Sequence, residues 1–224
     1  MMKNIIFDFD GTLTDSRRDI AGTQLLVLHR LGVHTLREED LYPFIGKPLE
    51  DTFRAVLPAA LHHLIPEAAG LYSAEYPSRS LSTTTLFPGV REGLMELRAM
   101  GCRLAVASTK RGPGILRATD HFGITHLFDR LQGSEDIPFK PDPAIIHLIL
   151  RELGWDPAET LIAGDSDNDI RAGMAAGIAT CGVSYGAWTR TRLSALHPDY
   201  LIDSFPELLP IVAASFLQAT GTWE

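Results

Sequence analysis

Two aspartates one residue apart, Asp8 and Asp10, follow a short apolar run near the start of the chain. Side chains alternate along a strand, so both carboxylates are expected to face one way while Phe9 faces the core. Like charges this close repel each other unless a cation or a proton offsets them. Gly11 permits a sharp turn after the pair, and Thr12 offers an amide and a hydroxyl to an anion. The pattern favours a site for a cation and an anion, but taken alone it also fits a solvated acidic turn.

A second acidic cluster, Gly-Asp-Ser-Asp-Asn-Asp at residues 164–169, follows another apolar run. Either Ser166 or Asp167 fits the N-cap of a helix that begins there. An N-cap does not account for three acids within five residues. Oxygen donors that converge from two strand ends favour a hard cation, and Mg²⁺ is the natural choice. The spacing is not that of an EF-hand loop, because its glycine and terminal glutamate are absent.

Two further segments supply donors for an anion. Ser108 and Thr109 follow the apolar run 103–107, and Lys140 lies just before a predicted helix. Each of these residues alone is typical of an exposed loop. Together they are informative because each stands at a strand end or in a strand–helix loop, where open α/β sheets bind ligands.

The elements that must position these residues alternate between strands and helices. Short apolar runs predict strands, and apolar residues at i, i+4 and i+7 closed by a glycine predict helices. Asp142 and Pro143 predict the N-cap and the first residue of one of these helices. The alternation predicts an α/β fold with a doubly wound parallel sheet, a Rossmann-like core. The predicted strands are residues 4–10, 103–107, 161–163, 179–183 and 200–202, and the predicted helices end at Gly101, Gly123, Gly154 and Gly177.

Residues 16–86 break this alternation, because they show helical patterns and no convincing strand. We expect them to form a helical cap inserted after the first strand. The catalytic core would then comprise residues 1–15 and 87–224. The Ser/Thr-rich stretch 80–85 predicts the return linker, and Pro88-Gly89 marks the return to the core.

Composition and charge argue against several classes of protein. The 28 Asp and Glu outnumber the 20 Lys and Arg, giving a net charge of −8, which disfavours nucleic-acid binding. Two cysteines cannot build a disulfide framework. No signal peptide is visible, and no apolar run approaches the ~18 residues of a membrane span. We expect a cytoplasmic protein with no nucleic-acid or membrane partner, and both a monomer and a homodimer remain open.

The motifs occur in a characteristic order along the chain: Asp-Phe-Asp-Gly-Thr-Leu-Thr-Asp-Ser, Ser-Thr-Lys, Lys-Pro-Asp-Pro and Gly-Asp-Ser-Asp-Asn-Asp. This combination resembles the haloacid dehalogenase-like superfamily of phosphohydrolases along the whole chain, most closely its phosphoglycolate phosphatase-like branch. The resemblance implies a helical cap after the first strand. It also implies a Mg²⁺-dependent phosphatase that hydrolyses a small phosphorylated metabolite, a phosphoglycolate-like monoester, through an aspartyl phosphate.

The resemblance also implies a role for each motif residue. Asp8 would attack phosphorus, and Asp10 would protonate the leaving alcohol and then activate water. Ser108 and Lys140 would hold the phosphoryl oxygens, and Lys140 would also orient Asp8. The phosphate would in addition contact three residues beside them: Gly11, Thr12 and Thr109.

The implied metal ligands come from both acidic motifs. Mg²⁺ would be bound by Asp8, by the backbone carbonyl of Asp10 and by Asp165. Asp169 would act through water or from behind these ligands.

Differences within the family narrow the expected reaction. Dehalogenases and phosphonatases lack an acid at the position of Asp10. Sugar phosphomutases place an arginine in a loop similar to residues 45–49, which have none. Hydrolysis is therefore favoured, with a phosphomutase or a pyrophosphatase as alternatives. Gly46 and Lys47 of this loop are expected to tune substrate choice, although Lys47 fits a solvated surface lysine equally well.

Two non-enzymatic classes of protein are disfavoured. A phospho-receiver signalling domain gathers similar residues but is far shorter and lacks the helical insert. A non-catalytic phosphate-binding protein is disfavoured because every motif position is intact.

Overall fold

The computed structural model describes the backbone of residues 1–220 and the side chains of residues 1–217. The strands are β1 (Asn4–Phe7), β2 (Thr14–Asp15), β3 (Thr85–Leu86), β4 (Arg103–Ala107), β5 (Arg130–Gln132), β6 (Thr160–Gly164), β7 (Ala179–Val183) and β8 (Tyr200–Ile202). The α-helices are α1 (Arg17–Arg30), α2 (Leu49–Val56), α3 (Ile65–Arg79), α4 (Val90–Ala99), α5 (Gly112–His121), α6 (Ala144–Leu153), α7 (Asp167–Ala176), α8 (Arg190–Ser194) and α9 (Leu208–Thr220). Short 3₁₀ helices cover Glu38–Phe44, Ala59–Leu64, Thr125–Leu127, Pro157–Glu159 and Phe205–Glu207.

The main sheet is parallel, with the strand order β5-β4-β1-β6-β7-β8. Its centre, β1, is buried on both faces, as the uninterrupted apolar run predicts. Phe7, the last residue of β1, pairs with Val106 on one side and with Ala163 on the other. The three central strands therefore end at nearly the same level, and the residues that follow them emerge at one edge of the sheet.

Alternation along β1 supplies an apolar layer on each side of the sheet. Phe7 points into a cluster that includes Leu94 and Phe205. Ile6 points to the opposite side, into a cluster that includes Ile149. This two-layer packing confirms the predicted doubly wound α/β fold.

Helices α1, α2 and α3 pack around an apolar cluster of their own, which includes Leu28, Phe53 and Ala68. The short antiparallel pair β2–β3 lies where the chain leaves and rejoins the main sheet. The helices within residues 16–86 therefore share an apolar core that is separate from the two clusters of the main sheet. The last two residues of this range form β3. No helix among the described residues has both the length and the apolar character needed to cross a membrane.

The buried carboxylate of Asp19 fastens α1 to the segment that returns to β3. It accepts hydrogen bonds from the hydroxyls of Thr83 and Thr84, at 2.7 and 2.6 Å, and from both backbone N–H groups. Burial acts to raise the pKa of Asp19, but the hydrogen bonds from Thr84 and Thr83 outweigh it and lower the pKa below its usual value.

Most of the predicted strands are confirmed. The predictions at 103–107, 179–183 and 200–202 match β4, β7 and β8 in their bounds. The predicted strand 161–163 extends by one residue at each end. The first strand ends at Phe7 rather than at Asp10, because the chain turns immediately after it.

Three short strands are absent from the sequence prediction. β5 has three residues, one of them charged, and shows no apolar run. β2 and β3 have two residues each, which is too short for any periodic signal. The expectation of no strand within residues 16–86 is therefore wrong at Thr85–Leu86.

The predicted helix ends are confirmed by the backbone. The four glycines that close α4, α5, α6 and α7 all have positive φ values, between 61° and 87°, as left-handed helix ends require. The start of α6 differs by one position from the prediction. Pro143 is the N-cap, and Asp142 precedes it and accepts a hydrogen bond from the backbone N–H of Ala144 at 2.9 Å.

We predict that Asp19→Ala lowers the free energy of unfolding by about 3 kcal/mol, because several buried donors lose a charged acceptor. Because the folded-state pKa of Asp19 is lowered, its stabilisation is complete above about pH 4 and is lost as the pH falls through the folded-state value. Urea unfolding at a series of pH values should therefore show the difference from the unmodified protein shrinking on acidification. Asp19→Asn, which keeps one carbonyl acceptor, should lose less, and equal losses for both variants would contradict the assignment.

Candidate active site

The candidate site lies at the edge where β1, β4 and β6 end together. Asp8 follows β1, Ser108 follows β4 and Asp165 follows β6. All three side chains are buried. The parallel register therefore brings together residues that are distant in sequence, at the edge where α/β sheets bind ligands.

Lys140 joins the two acidic motifs. Its Nζ donates to Asp8 Oδ1 at 2.7 Å, to Asp169 Oδ1 at 2.5 Å and to the Ala107 carbonyl at 2.8 Å. These contacts use all three N–H groups of the ammonium. Burial acts to lower the pKa of Lys140, but Asp169 and Asp8 outweigh it and raise the pKa, so the lysine is charged.

Three carboxylates converge beside this lysine. Oxygen atoms of Asp8, Asp165 and Asp169 all lie within 4.8 Å of one another. Burial raises the pKa of Asp8 to about 7, against the opposing effect of Lys140 and with a further rise caused by Asp169. Burial, followed by the charges of Asp8 and Asp169, raises the pKa of Asp165 well above its usual value. One ammonium therefore faces three buried carboxylates, a group that would carry excess negative charge with all three ionised.

Asp169 and Asp165 are each held by neighbouring donors. Asp169 Oδ2 accepts hydrogen bonds from the Ser166 hydroxyl at 2.6 Å and from its N–H at 3.1 Å, in the first turn of α7. Asp165 Oδ2 accepts from the Ala187 N–H at 2.6 Å. Ser166 is the N-cap of α7, which decides between the two N-cap candidates in the sequence.

Two glycines let the backbone pass close to Asp165. Gly11 has φ +96°, and a Cβ there would lie 2.2 Å from Asp165 Oδ2. A Cβ on Gly186 would lie 2.3 Å from the Gly11 carbonyl oxygen and 2.4 Å from Asp165 Cβ. The loop after β7 therefore packs directly on the turn after β1, and sequence analysis did not identify this loop.

Asp10 has a different environment from Asp8. Its carboxylate accepts hydrogen bonds from Lys110 Nζ at 2.8 and 3.1 Å and from the Ser16 hydroxyl at 2.6 Å. It is not among the three carboxylates grouped beside Lys140. Phe9 is buried in the same apolar cluster as Phe7, as alternation predicts, whereas Asp10 contacts Lys110 and Ser16 rather than the lysine that holds Asp8.

The remaining predicted phosphate ligands lie in the turn after β1 and in the loop after β4. Thr12 is buried, and its hydroxyl is 3.5 Å from Asp165 Oδ1. Ser108 is also buried, and its hydroxyl accepts a hydrogen bond from the Lys110 N–H at 3.2 Å. Thr109 is half-buried, and its carbonyl accepts from the Ser134 hydroxyl at 2.7 Å.

The predicted specificity loop lies in the helical segment. Gly46 has φ +85° and open space where a Cβ would stand. Lys47 is exposed, and its ammonium lies 5.5 Å from the centre of the Phe44 ring. This position agrees with the alternative interpretation of Lys47 as a solvated surface lysine.

Two residues of the site were missed by sequence reasoning. Lys110 is the last residue of the Ser-Thr-Lys motif, so the signal was present but no role was assigned to it. Tyr76, on α3, has its hydroxyl 2.9 Å from Lys110 Nζ. No pattern distinguished Tyr76 from other residues of the helical segment.

Comparison with known proteins agrees with this geometry. A family model described as haloacid dehalogenase-like hydrolase matches residues 5–183. The chain is 33% identical over 208 residues to pyrophosphatase PpaX of Bacillus velezensis, covering 92% of this chain and 94% of that protein. It is 31% identical over 219 residues to phosphoglycolate phosphatase of Haemophilus influenzae, covering 94% and 98%. A solved haloacid dehalogenase-like family hydrolase from Streptococcus pneumoniae matches with a TM-score of 0.86 at 28% identity, covering 94% of this chain and 98% of that one. The chain belongs to the haloacid dehalogenase-like hydrolase family, which confirms the resemblance found in its motifs.

We predict that Gly186→Ala weakens divalent cation binding about 10-fold, because the added methyl displaces the loop whose N–H group orients Asp165. Calorimetric titration with Mg²⁺ measures the effect. Gly70→Ala is the matched control, since a Cβ at Gly70 meets nothing within 4 Å. Equal affinities for the two variants would show that the loop after β7 does not orient Asp165.

Proposed function

We propose that this member of the haloacid dehalogenase-like hydrolase family is a Mg²⁺-dependent phosphatase that acts on a small phosphomonoester through an aspartyl phosphate on Asp8. The observation that carries the proposal is the buried group in which Lys140 contacts both Asp8 and Asp169, with Asp165 beside them. A nucleophilic carboxylate, a cation for the phosphoryl oxygens and a set of oxygen donors for a metal are thereby in one place.

The donor set fits a hard divalent cation. Three carboxylates against one ammonium leave two formal negative charges in a buried space, and all the donors are oxygens. Asp8, the backbone carbonyl of Asp10 and Asp165 would hold the ion, and Asp169, whose two oxygens accept from Lys140 and Ser166, would act through water or from behind these ligands. When bound, Mg²⁺ would neutralise phosphoryl oxygens and so let a carboxylate approach phosphorus.

The chain's own residues supply the two chemical steps of the proposal. A carboxylate oxygen of Asp8 forms a bond to phosphorus while the bond to the ester oxygen breaks, and Asp10 gives that oxygen its proton. Water then attacks the aspartyl phosphate, Asp10 takes the proton and phosphate leaves. Lys140 and the Ser108 hydroxyl stabilise the charge on the phosphoryl oxygens. A covalent intermediate divides one difficult displacement into two easier ones.

The contacts of Asp10 indicate where the leaving group would lie. Asp10 contacts Ser16, at the start of the helical segment, and Lys110, which in turn contacts Tyr76 of α3. A leaving group protonated by Asp10 would therefore lie between the core and α3. We propose that residues 16–86 act as a cap over it, with residues 1–15 and 87–224 as the catalytic core.

Two substrate classes are favoured by the comparisons. The relative from Haemophilus influenzae is named for phosphoglycolate, and the one from Bacillus velezensis for pyrophosphate. In both compounds the leaving group carries a second negative charge close to the scissile oxygen. We propose a phosphoglycolate-like monoester as the substrate and pyrophosphate as the second candidate, in a cytoplasmic enzyme whose partner is a small metabolite.

We predict that Asp8→Asn lowers kcat for phosphoglycolate with Mg²⁺ about 1,000-fold or more, because the amide is a poor nucleophile. Mass spectrometry after acid quench should find the phosphoryl group on the peptide that contains Asp8, in the unmodified protein only. Asp167→Asn is the matched control, since Asp167 pairs with Arg171 on the outside of α7 and should keep its activity. Full activity of Asp8→Asn would rule out the assigned nucleophile.

We predict that Mg²⁺ supports activity and that excess EDTA abolishes it. With Mg²⁺ present, phosphate release should be highest for phosphoglycolate or pyrophosphate in a panel that also contains hexose phosphates and nucleotides. Interconversion of hexose phosphates without phosphate release would instead identify a phosphomutase. A flat profile across the panel would contradict a substrate with a second negative charge.

A further inference from the structure

Lys110 places a second, largely enclosed positive charge at the candidate site. It follows Ser108 in the loop after β4, and its side chain is 12% exposed. Its Nζ donates to both Asp10 carboxylate oxygens and to the Tyr76 hydroxyl, and it lies 4.8 Å from the centre of the Tyr76 ring. All three N–H groups are used, two on the proposed general acid and one on the helical segment.

The position of Lys110 relative to the reaction follows from Asp10. A general acid must lie within hydrogen-bond distance of the oxygen it protonates. Lys110 Nζ is 2.8 Å from Asp10 Oδ2, so atoms a few bonds beyond that ester oxygen come within reach of the ammonium. The Tyr76 hydroxyl is a neutral acceptor, and an anionic oxygen makes a stronger hydrogen bond to an ammonium. Such an oxygen can therefore replace the hydroxyl on Lys110.

The other cations near the site are less suited to this task. Lys140 contacts Asp8, the proposed nucleophile, so it would face the scissile phosphoryl group rather than the leaving group. Arg17 forms a two-bond pair with Asp15. Lys47 is exposed, where water and salt weaken its attraction for an anion.

The space beside Lys110 limits the size of the leaving group. A cavity of about 10 Å³, enough for one water molecule, is lined by Asp10, Ser16, Tyr76, Leu81 and Lys110. A leaving group of a few atoms needs more space than this cavity offers, and Tyr76 is one of the side chains that line it. A short leaving group that ends in an anion would both replace the hydroxyl and satisfy the freed N–H group.

We infer that Lys110 selects the leaving group by binding a second anionic group, a carboxylate or a phosphate, whose oxygens lie two or three bonds from the scissile ester oxygen. The inference rests on the proposed function and names the residue that sets its substrate class. Substrate choice is then set mainly by the core loop that carries Ser108 and Lys110, rather than by the cap loop that carries Lys47.

The test uses two esters that differ only in this group. Phosphoglycolate carries the carboxylate, and 2-hydroxyethyl phosphate carries a neutral CH₂OH group in its place. The readout is the ratio of their kcat/KM values. Lys110→Gln keeps hydrogen-bond donors but loses the charge, and Lys110→Met loses both. Each variant should lower the ratio about 100-fold, because the carboxylate loses its buried ionic partner.

The ratio separates selection from other roles of Lys110. Lys110 also contacts Asp10, so both substrates will react more slowly in these variants. An equal decrease for the two esters would mean that Lys110 only holds Asp10, and the inference would be overturned. It would also be overturned if Lys47→Gln, rather than the Lys110 variants, removed the preference. Lys3→Gln, at the far edge of the sheet beside Glu159, is the neutral control.

A binding measurement tests the role of Lys110 independently of whether the protein hydrolyses either ester. In the Asp8→Asn background, calorimetry measures the affinity for each ester without turnover. Adding Lys110→Gln should weaken binding of phosphoglycolate about 100-fold more than binding of 2-hydroxyethyl phosphate. If the unmodified protein hydrolyses neither ester but this difference persists, the proposed function fails and the role of Lys110 stands. If the two affinities change equally, the role of Lys110 fails whatever the enzyme hydrolyses.

Discussion

The contact of Lys140 with Asp8 and Asp169 is the interaction on which the rest of the site depends. Buried carboxylates that face one another are costly unless a cation lies among them, and removing one partner of a buried pair is strongly destabilising. Lys140 comes from the loop before α6, Asp8 from the end of β1 and Asp169 from the first turn of α7. The parallel sheet brings these segments together because its central strands end at one level, so the ion cluster depends on the fold. The two formal charges that Lys140 leaves unbalanced are what makes the site suited to a divalent cation.

The two aspartates of the first motif pair with different lysines. Asp8 contacts Lys140 on the side of the acidic cluster, and Asp10 contacts Lys110 on the side of α3. Carboxylates with different surroundings can take different roles in one reaction. Asp8 follows β1 directly, whereas Asp10 lies in the turn that leads to β2, and the two side chains have different partners. In the proposed reaction, the same turn therefore separates the nucleophile from the acid–base group.

The strands β4 and β7 were predictable because burial on both faces makes each a continuous apolar run, and the helix ends were predictable because left-handed backbone favours glycine. The three-residue β5 has no such pattern, since Arg130 and Gln132 are polar. Asp8, Ser108 and Asp165 were predicted to share one edge of the sheet because each follows a strand, and Lys140 because it lies in a strand–helix loop; the structure brings all four to that edge. Lys110 had a motif but no role, since alternation along β1 does not describe the turn that sends Asp10 towards it. Tyr76 left no signal, because its contact with Lys110 arises only from how α3 packs against the core.

The net negative charge of the chain favours enclosed lysines over exposed ones as the groups that bind an anionic substrate. At a net charge of −8 the protein attracts small anions poorly at long range, and exposed cations are screened beyond about 10 Å in ordinary salt. A buried ammonium acts through a lower effective dielectric constant, so its attraction for an anion in contact is several times stronger than in water. Lys140 is buried and the side chain of Lys110 is 12% exposed, and each lies beside one aspartate of the first motif. The proposed substrate, a compact ester with two anionic groups a few bonds apart, would place one anionic group near each of these lysines.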